Sequence, residues 1–434
     1  MMRMKVCLRS LLLGLALMGS VSGMARVQFD QWFENRTLRM DYVLSGDSVE
    51  QRISLDELYS LPYWAGRRNN LDSLHLEGNG QILMHDAASG QLIYCLSFST
   101  LFQEWQHTEE AQRSYKSFEC THLLPFPRKK VNVTVRLQNS RREVTCERSF
   151  PVDPEDIQIR RLDKVPAQPH KYIVKSGTAE KCIDIAILAE GYQEGEMDSF
   201  YADAQKMSDH LFAHEPFKSM KRCFNVVAVA SPSIDTGVST PRNKDWRRTA
   251  LGAQFDTFYS DRYLTTLRMK RVQDMLSGIP YEHIVILVNT DTYGGGGIYN
   301  QYMIAAMHHP SSLPVCVHEF GHSFAGLADE YAYGDEVTPY YHRDVEPWEK
   351  NITTLVHFEQ KWKDMVPAGT PIPTPENKNV KTETERIGVF EGAGYLKKGV
   401  YRPVQDCRMR VNNVPAFCPV CQRALKDLVN YYVK

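Results

Sequence analysis

The chain has 434 residues, of which 43% are hydrophobic, enough for two or three domains with sizeable cores. Its 51 basic and 52 acidic side chains leave a formal charge of −1, which gives no electrostatic reason to expect a nucleic-acid partner.

In chain order, the first element is a leader. Arg3, Lys5 and Arg9 precede the apolar run from Leu11 to Met18, and Gly23-Met24-Ala25 offers small residues for cleavage before Arg26. Residues 1–25 therefore read as a signal peptide. The run is too short to span a bilayer, and no cysteine follows it to carry a lipid, so no membrane anchor is expected in the mature chain. The expected location is exported, periplasmic or extracellular, where disulfides persist. Removing Cys7 with the leader leaves nine of the ten cysteines, an odd number, so at least one stays free.

Residues 26–153 alternate apolar and polar side chains over short stretches, as in Thr37 to Leu44 and Val131 to Leu137. Turn signals at Ser45-Gly46-Asp47 and Ala88-Ser89-Gly90 separate them. This pattern predicts an N-terminal antiparallel β-sandwich. No catalytic cluster stands out in it, and its aromatic residues read as core. Four prolines and many charges between Pro151 and Pro169 read as a linker, set at residues 154–170.

Residues 171–434 follow an α/β rhythm. Ile183 to Ala189, Phe224 to Ala230 and His283 to Asn289 are near-continuous apolar strands, and Glu194 to Phe212 is an amphipathic helix. Strands alternating with helices predict a mostly parallel sheet. Cys182 and Cys223 begin or precede two of these strands and would be cross-strand neighbours. Gly294 to Gly297 lacks the ending of a phosphate loop and reads as a flexible turn before an edge strand, Ile298 to Ala306. Such an edge would bind an extended peptide through its backbone.

The strongest signal follows: His318-Glu319-Phe320-Gly321-His322. Histidines four apart share one face of a helix, so both imidazoles reach one metal ion, and Glu319 can serve as general base to a water on that ion. Ser312 is set as the N-cap and Pro314 in the first turn. Leu313, Val315, Val317, Phe320, Phe324 and Leu327 give the helix an apolar surface, and burying two histidines and a glutamate there is costly unless they are paired or bind metal. Gly326 can take the left-handed conformation that stops the helix. Asp329 and Glu330 follow, and either could return to the metal as a third ligand. His308 and His309 are spare candidates that read as surface or hydrogen-bonding residues.

Val366 to Arg386, rich in Pro, Thr, Lys and Glu, reads as an exposed loop, and Ala424 to Tyr432 as a closing helix. Cys418-Pro419-Val420-Cys421 is open to three readings: a second metal site, a redox pair or half of a disulfide set. A disulfide from Cys407 to Cys418 or Cys421 is the expected one; a second structural ion on Cys407, Cys418 and Cys421 is not expected.

His318 through Tyr331 resembles the signature of the IgA peptidase family M64. The likeness extends to Ile185 through Tyr192, Pro216-Phe217, Phe224 to Val227, Val288-Asn289 with Tyr293-Gly294-Gly295, Phe390 to Ala393, Gly399 to Pro403 and Cys407 to Arg410. Phe33 through Tyr42 is similar to the family's N-terminal domain, so nearly the whole mature chain is covered. The resemblance implies a multi-domain α+β chain: the N-terminal sandwich, then a zincin-like metallopeptidase domain with zinc on His318 and His322. It implies Asp329 as third ligand and Met409 as the methionine of a Met-turn beneath the metal. In related folds a tyrosine assists the oxyanion, and Tyr331, Tyr395 and Tyr401 are candidates.

The expected activity is hydrolysis of peptide bonds in a protein or peptide substrate, with Glu319 as base. A non-catalytic adhesin or host-protein-binding module with a vestigial metal site is the alternative, but it would have no need of Glu319. A zinc hydrolase acting on a non-peptide amide is a third reading, against which the edge strand speaks.

Overall fold

The computed structural model describes residues 26–162, 164–335 and 339–434. The expected leader lies outside them. The chain is mostly β-sheet with some helices, arranged as N-terminal sheets followed by a C-terminal domain.

The N-terminal part holds helices α1 (Phe29–Trp32) and α2 (Leu101–Trp105) and strands β1 (Phe33–Gly46), β2 (Gln51–Leu61), β3 (Gly80–Asp86), β4 (Leu92–Phe98), β5 (Lys116–Pro127), β6 (Val131–Gln138), β7 (Val144–Val152) and β8 (Arg160–Arg161). They form two sheets, ordered β5-β1-β2-β8 and β4-β3-β6-β7. The period of two sends Leu38, Met40, Tyr42 and Leu44 of one sheet, and Ile82, Met84, Val133 and Val135 of the other, into a common apolar cluster. Strand β8 falls within the Pro-rich segment between the two parts. Arg160 and Arg161 pair in parallel with Tyr59 and Ser60, so backbone hydrogen bonds tie part of that Pro-rich segment to the first sheet.

The C-terminal domain runs β9 (His170–Val174), β10 (Ile183–Glu190), α3 (Met197–Leu211), β11 (Phe224–Val229), α4 (Met269–Met275), β12 (His283–Val288), β13 (Gly295–Ile298), β14 (Tyr302–Ala306), α5 (Ser312–Ala325), β15 (Ala332–Asp335), β16 (Phe390–Ala393), β17 (Tyr395–Arg402) and α6 (Pro419–Val433). Its main sheet is ordered β13-β14-β12-β10-β11-β9. Strand β10 is parallel to β11 and β12, and β12 to β14; the edges β9 and β13 are antiparallel. Ile185, Ile187 and Val285 on one face pack with the apolar stripes of α3, α5 and α6. Ala186, Leu188 and Ile286 on the other join the N-terminal cluster. Cover on both faces is why these strands read as unbroken apolar runs.

The glycine run is not a turn. Gly295 to Gly297 are themselves in the edge strand β13, while Ile298 to Ala306 divides into the end of β13, a turn and β14. The absent side chains explain it. A Cβ on Gly297 would lie 2.3 Å from the Glu319 carbonyl oxygen, and one on Gly295 would lie 3.0 Å from Val315 and 3.1 Å from Glu319 Cγ. Only glycine lets the edge lie this close to α5. Nor is the edge open along its length, because Tyr263 bridges Gly295 in parallel.

Helix α5 begins at Ser312 with Ser311 as its N-cap, so Ser312 is one residue too far in to cap it, and no side-chain cap bond forms. Gly326 ends the helix at φ 54°. Helix α6 starts five residues before the expected Ala424, because Cys418 caps it and Pro419 occupies its first turn. Residues 366–386 form the expected largely exposed loop. Ile183 pairs with Phe224, which sets Cys182 and Cys223 side by side as free thiols.

Candidate metal centre

Helix α5 presents His318 and His322 one turn apart, and the Gly326 turn brings Asp329 back against them. His318 Nε2 lies 3.0 Å from His322 Nε2 and 3.1 Å from Asp329 Oδ1, and His322 Nε2 lies 3.3 Å from the same oxygen. Each Nδ1 has a backbone carbonyl as partner, Arg408 for His318 at 2.8 Å and Leu327 for His322. A carbonyl only accepts, so each Nδ1 carries the ring proton and each Nε2 a lone pair. Two lone pairs and a carboxylate oxygen converging in a buried site repel unless a cation sits among them. Ligand bonds of about 2.0–2.1 Å in a zinc tetrahedron give edges of about 3.3 Å, close to this triangle. The donor set thus fits zinc, and the carbonyls that fix both imidazoles are the partners such ligands use.

A proton is the competing cation. Burial pulls the His322 imidazole down, but the Asp329 charge outweighs it and lifts it to about 9. Burial opposes the Asp329 charge as well, yet the two histidines hold its carboxyl far below the usual range. A cation placed here would therefore have to displace a proton from the same negatively polarised pocket. Glu319 is raised above the usual carboxyl range, chiefly by burial.

Glu330 does not join this group. Its carboxylate turns to Asn351 and to Cys421. Tyr395 Oη donates to Asp329 Oδ2 at 2.7 Å, so it orients that carboxylate. Tyr331 and Tyr395 line the cleft beside the histidines, whereas Tyr401 does not; its backbone forms an isolated bridge with Thr353. Met409 is fully buried under Gly321, where a Cβ would stand 2.7 Å from its sulfur; glycine between the two histidines lets this methionine approach. His308 bonds Asp203 at 2.8 Å, and neither it nor His309 lines the cleft.

The cleft, of about 940 Å³, has a wall the sequence reading missed. Gln103 and Glu104 of α2 and the loop from Gln138 to Arg142 face Glu319 and His322 across it. The Tyr263 hydroxyl donates to Glu104, whose carboxyl burial pushes up to about 7. The docking is held by Ser99 N–H to the Tyr299 carbonyl at 3.0 Å and Trp348 Nε1 to Asn79 Oδ1 at 3.0 Å. Thr100, capping Gln103 N–H, is the sequence signal for this helix; nothing local said which way it faced.

The family model described as IgA Peptidase M64 matches residues 172–387 and 379–429, and the one described as Peptidase M64 N-terminus matches residues 28–148. No curated protein matches the chain.

Proposed function

From a chain that belongs to the IgA peptidase M64 family, we propose a zinc-dependent peptidase that cleaves peptide bonds with Glu319 as general base. What carries the reading is the trio of lone-pair-bearing atoms on His318, His322 and Asp329, separated by 3.0–3.3 Å with Glu319 alongside. Zinc held there would polarise a carbonyl and make a water acidic enough to attack near neutral pH. Glu319 would accept the proton of the attacking water and deliver it to the leaving amine; its burial-raised carboxyl suits both roles. Tyr395 keeps Asp329 oriented, and of the three candidate tyrosines Tyr331 is the other one in the cleft and is assigned to the oxyanion. The glycine edge β13, α5 and the N-terminal wall supply the cleft for an extended substrate.

The same reading takes residues 171–434 as a zincin-like domain with Met409 as its floor, residues 26–153 as a β-sandwich, and residues 1–25 as the leader that exports both. The test is a diverse peptide library incubated with wild type and His322→Ala, before and after chelation and zinc return. Wild-type cleavage that stops on chelation and resumes with zinc, and that His322→Ala lacks, is expected. Unimpaired cleavage by His322→Ala would defeat the proposal.

A further inference from the structure

On the far side of Asp329 lies a second set of buried ligand-type atoms. The sulfurs of Cys407, Cys418 and Cys421 and a carboxylate oxygen of Glu330 all lie within 4.8 Å of one another. All four residues are fully buried. The expected disulfide is not formed: the three cysteines are free, and the Cys407 and Cys421 sulfurs are 3.7 Å apart, against about 2.05 Å for a bond. Any pairing among three would also strand one thiol beside a carboxylate.

The distances fit a different chemistry. Zinc–sulfur bonds of about 2.3 Å give a tetrahedron with sulfur–sulfur edges of about 3.8 Å, and a carboxylate oxygen at about 2.0 Å gives sulfur–oxygen edges of about 3.5 Å. Cys407 to Cys421 is 3.7 Å and Cys421 Sγ to Glu330 Oε1 is 3.2 Å. Backbone N–H groups of Cys418 and Cys421 point at the sulfurs of Cys407 and Cys418, at 3.3 and 3.5 Å, which favours thiolates. Cys418 is also the N-cap of α6, where the helix end stabilises negative charge. Glu330 Oε2 has no hydrogen-bond partner among the described residues. A carboxylate buried among thiols is costly without a cation.

We propose that Cys407, Cys418, Cys421 and Glu330 bind a second divalent ion of the zinc class, structural because all four positions come from the protein and none is exposed. The ion clips three segments together: the residue after Asp329, the turn carrying Met409, and the start of α6. The Glu330 N–H bonds the Met409 carbonyl at 2.8 Å, and Arg408 supplies the carbonyl that fixes His318. Holding this clip closed would therefore hold Asp329 and the His318 ring in place.

Metal content of the full chain separates the two sites. Wild type should carry two zinc ions; His318→Ala/His322→Ala should carry one, and Cys418→Ser/Cys421→Ser should lose the other. Should the cysteine variant not fold, the wild-type chain still decides. Loaded with cobalt, it should show thiolate-to-cobalt absorption that histidine and aspartate cannot give, and His318→Ala/His322→Ala should keep it. Absence of that absorption from cobalt-loaded wild type, or a disulfide among these cysteines in the mass of the native chain, would overturn the proposal. None of these readouts uses peptidase activity, so failure of Glu319 as base would leave the second ion standing.

Discussion

Gly297→Ala puts one methyl group where the structure has no room. Its Cβ would sit 2.3 Å from the Glu319 carbonyl oxygen and 2.9 Å from His322 Cβ. Carbon and oxygen normally approach to about 3.5 Å, so β13 and α5 must part by about 1 Å. The obstacle is backbone, which cannot swing aside as a side-chain tip can. Overpacking of this kind costs about 1–3 kcal/mol. The displaced helix residues are the proposed base and a proposed ligand, and a misplacement of about 1 Å costs on the order of 10²-fold in rate. Gly195→Ala is the control, with nothing within 4 Å of its new Cβ. We expect kcat/KM for a cleaved peptide to fall about 100-fold in Gly297→Ala and its urea midpoint to drop, with Gly195→Ala unchanged in both. A Gly297→Ala protein with wild-type rate and midpoint would refute the close-packing argument.

Tyr395→Phe removes the 2.7 Å hydrogen bond to Asp329 Oδ2. Zinc affinity, measured by competition with a chelator, should weaken about 10- to 100-fold; unchanged affinity would deny Tyr395 its orienting role. Burial holds His122 and His283 down to about 3, against about 6.5 in the unfolded chain. The unfolded state therefore binds more protons between those values. The stability these histidines contribute is full above about pH 6.5 and declines toward pH 3, by roughly 1 kcal/mol per pH unit each. His122→Gln should flatten that decline by its share in urea titrations at pH 7 and 4.5, and an identical slope would count against it.

What the sequence made legible was local. Spacing alone set His318 and His322 on one helix face, and Gly326 announced the turn that brings Asp329 back. Alternation located β1 and β6, and unbroken apolar runs located β10, β11 and β12. What it hid depended on distant chain. Tyr263 meets Glu104 across 159 positions, and Cys421 meets Glu330 across 91, so neither the N-terminal wall of the cleft nor the fourth member of the cysteine cluster had a local signature. The glycine run misled for a related reason. A strand without side chains has no period to read, and its purpose, close approach to α5, exists only once the helix is beside it. The cysteines misled because spacing does not reveal whether two sulfurs meet as a pair or three gather unpaired, as Cys407, Cys418 and Cys421 do.

In the proposed mechanism Glu319 moves the proton while His318, His322 and Asp329 hold the metal. Glu319→Gln keeps the shape and removes the base, so its peptide kcat/KM and its metal content, taken from one preparation, test both halves. We expect a loss of about 10²- to 10⁴-fold in rate with metal content equal to wild type. A Glu319→Gln protein that cleaves peptides at the wild-type rate would rule out Glu319 as the base.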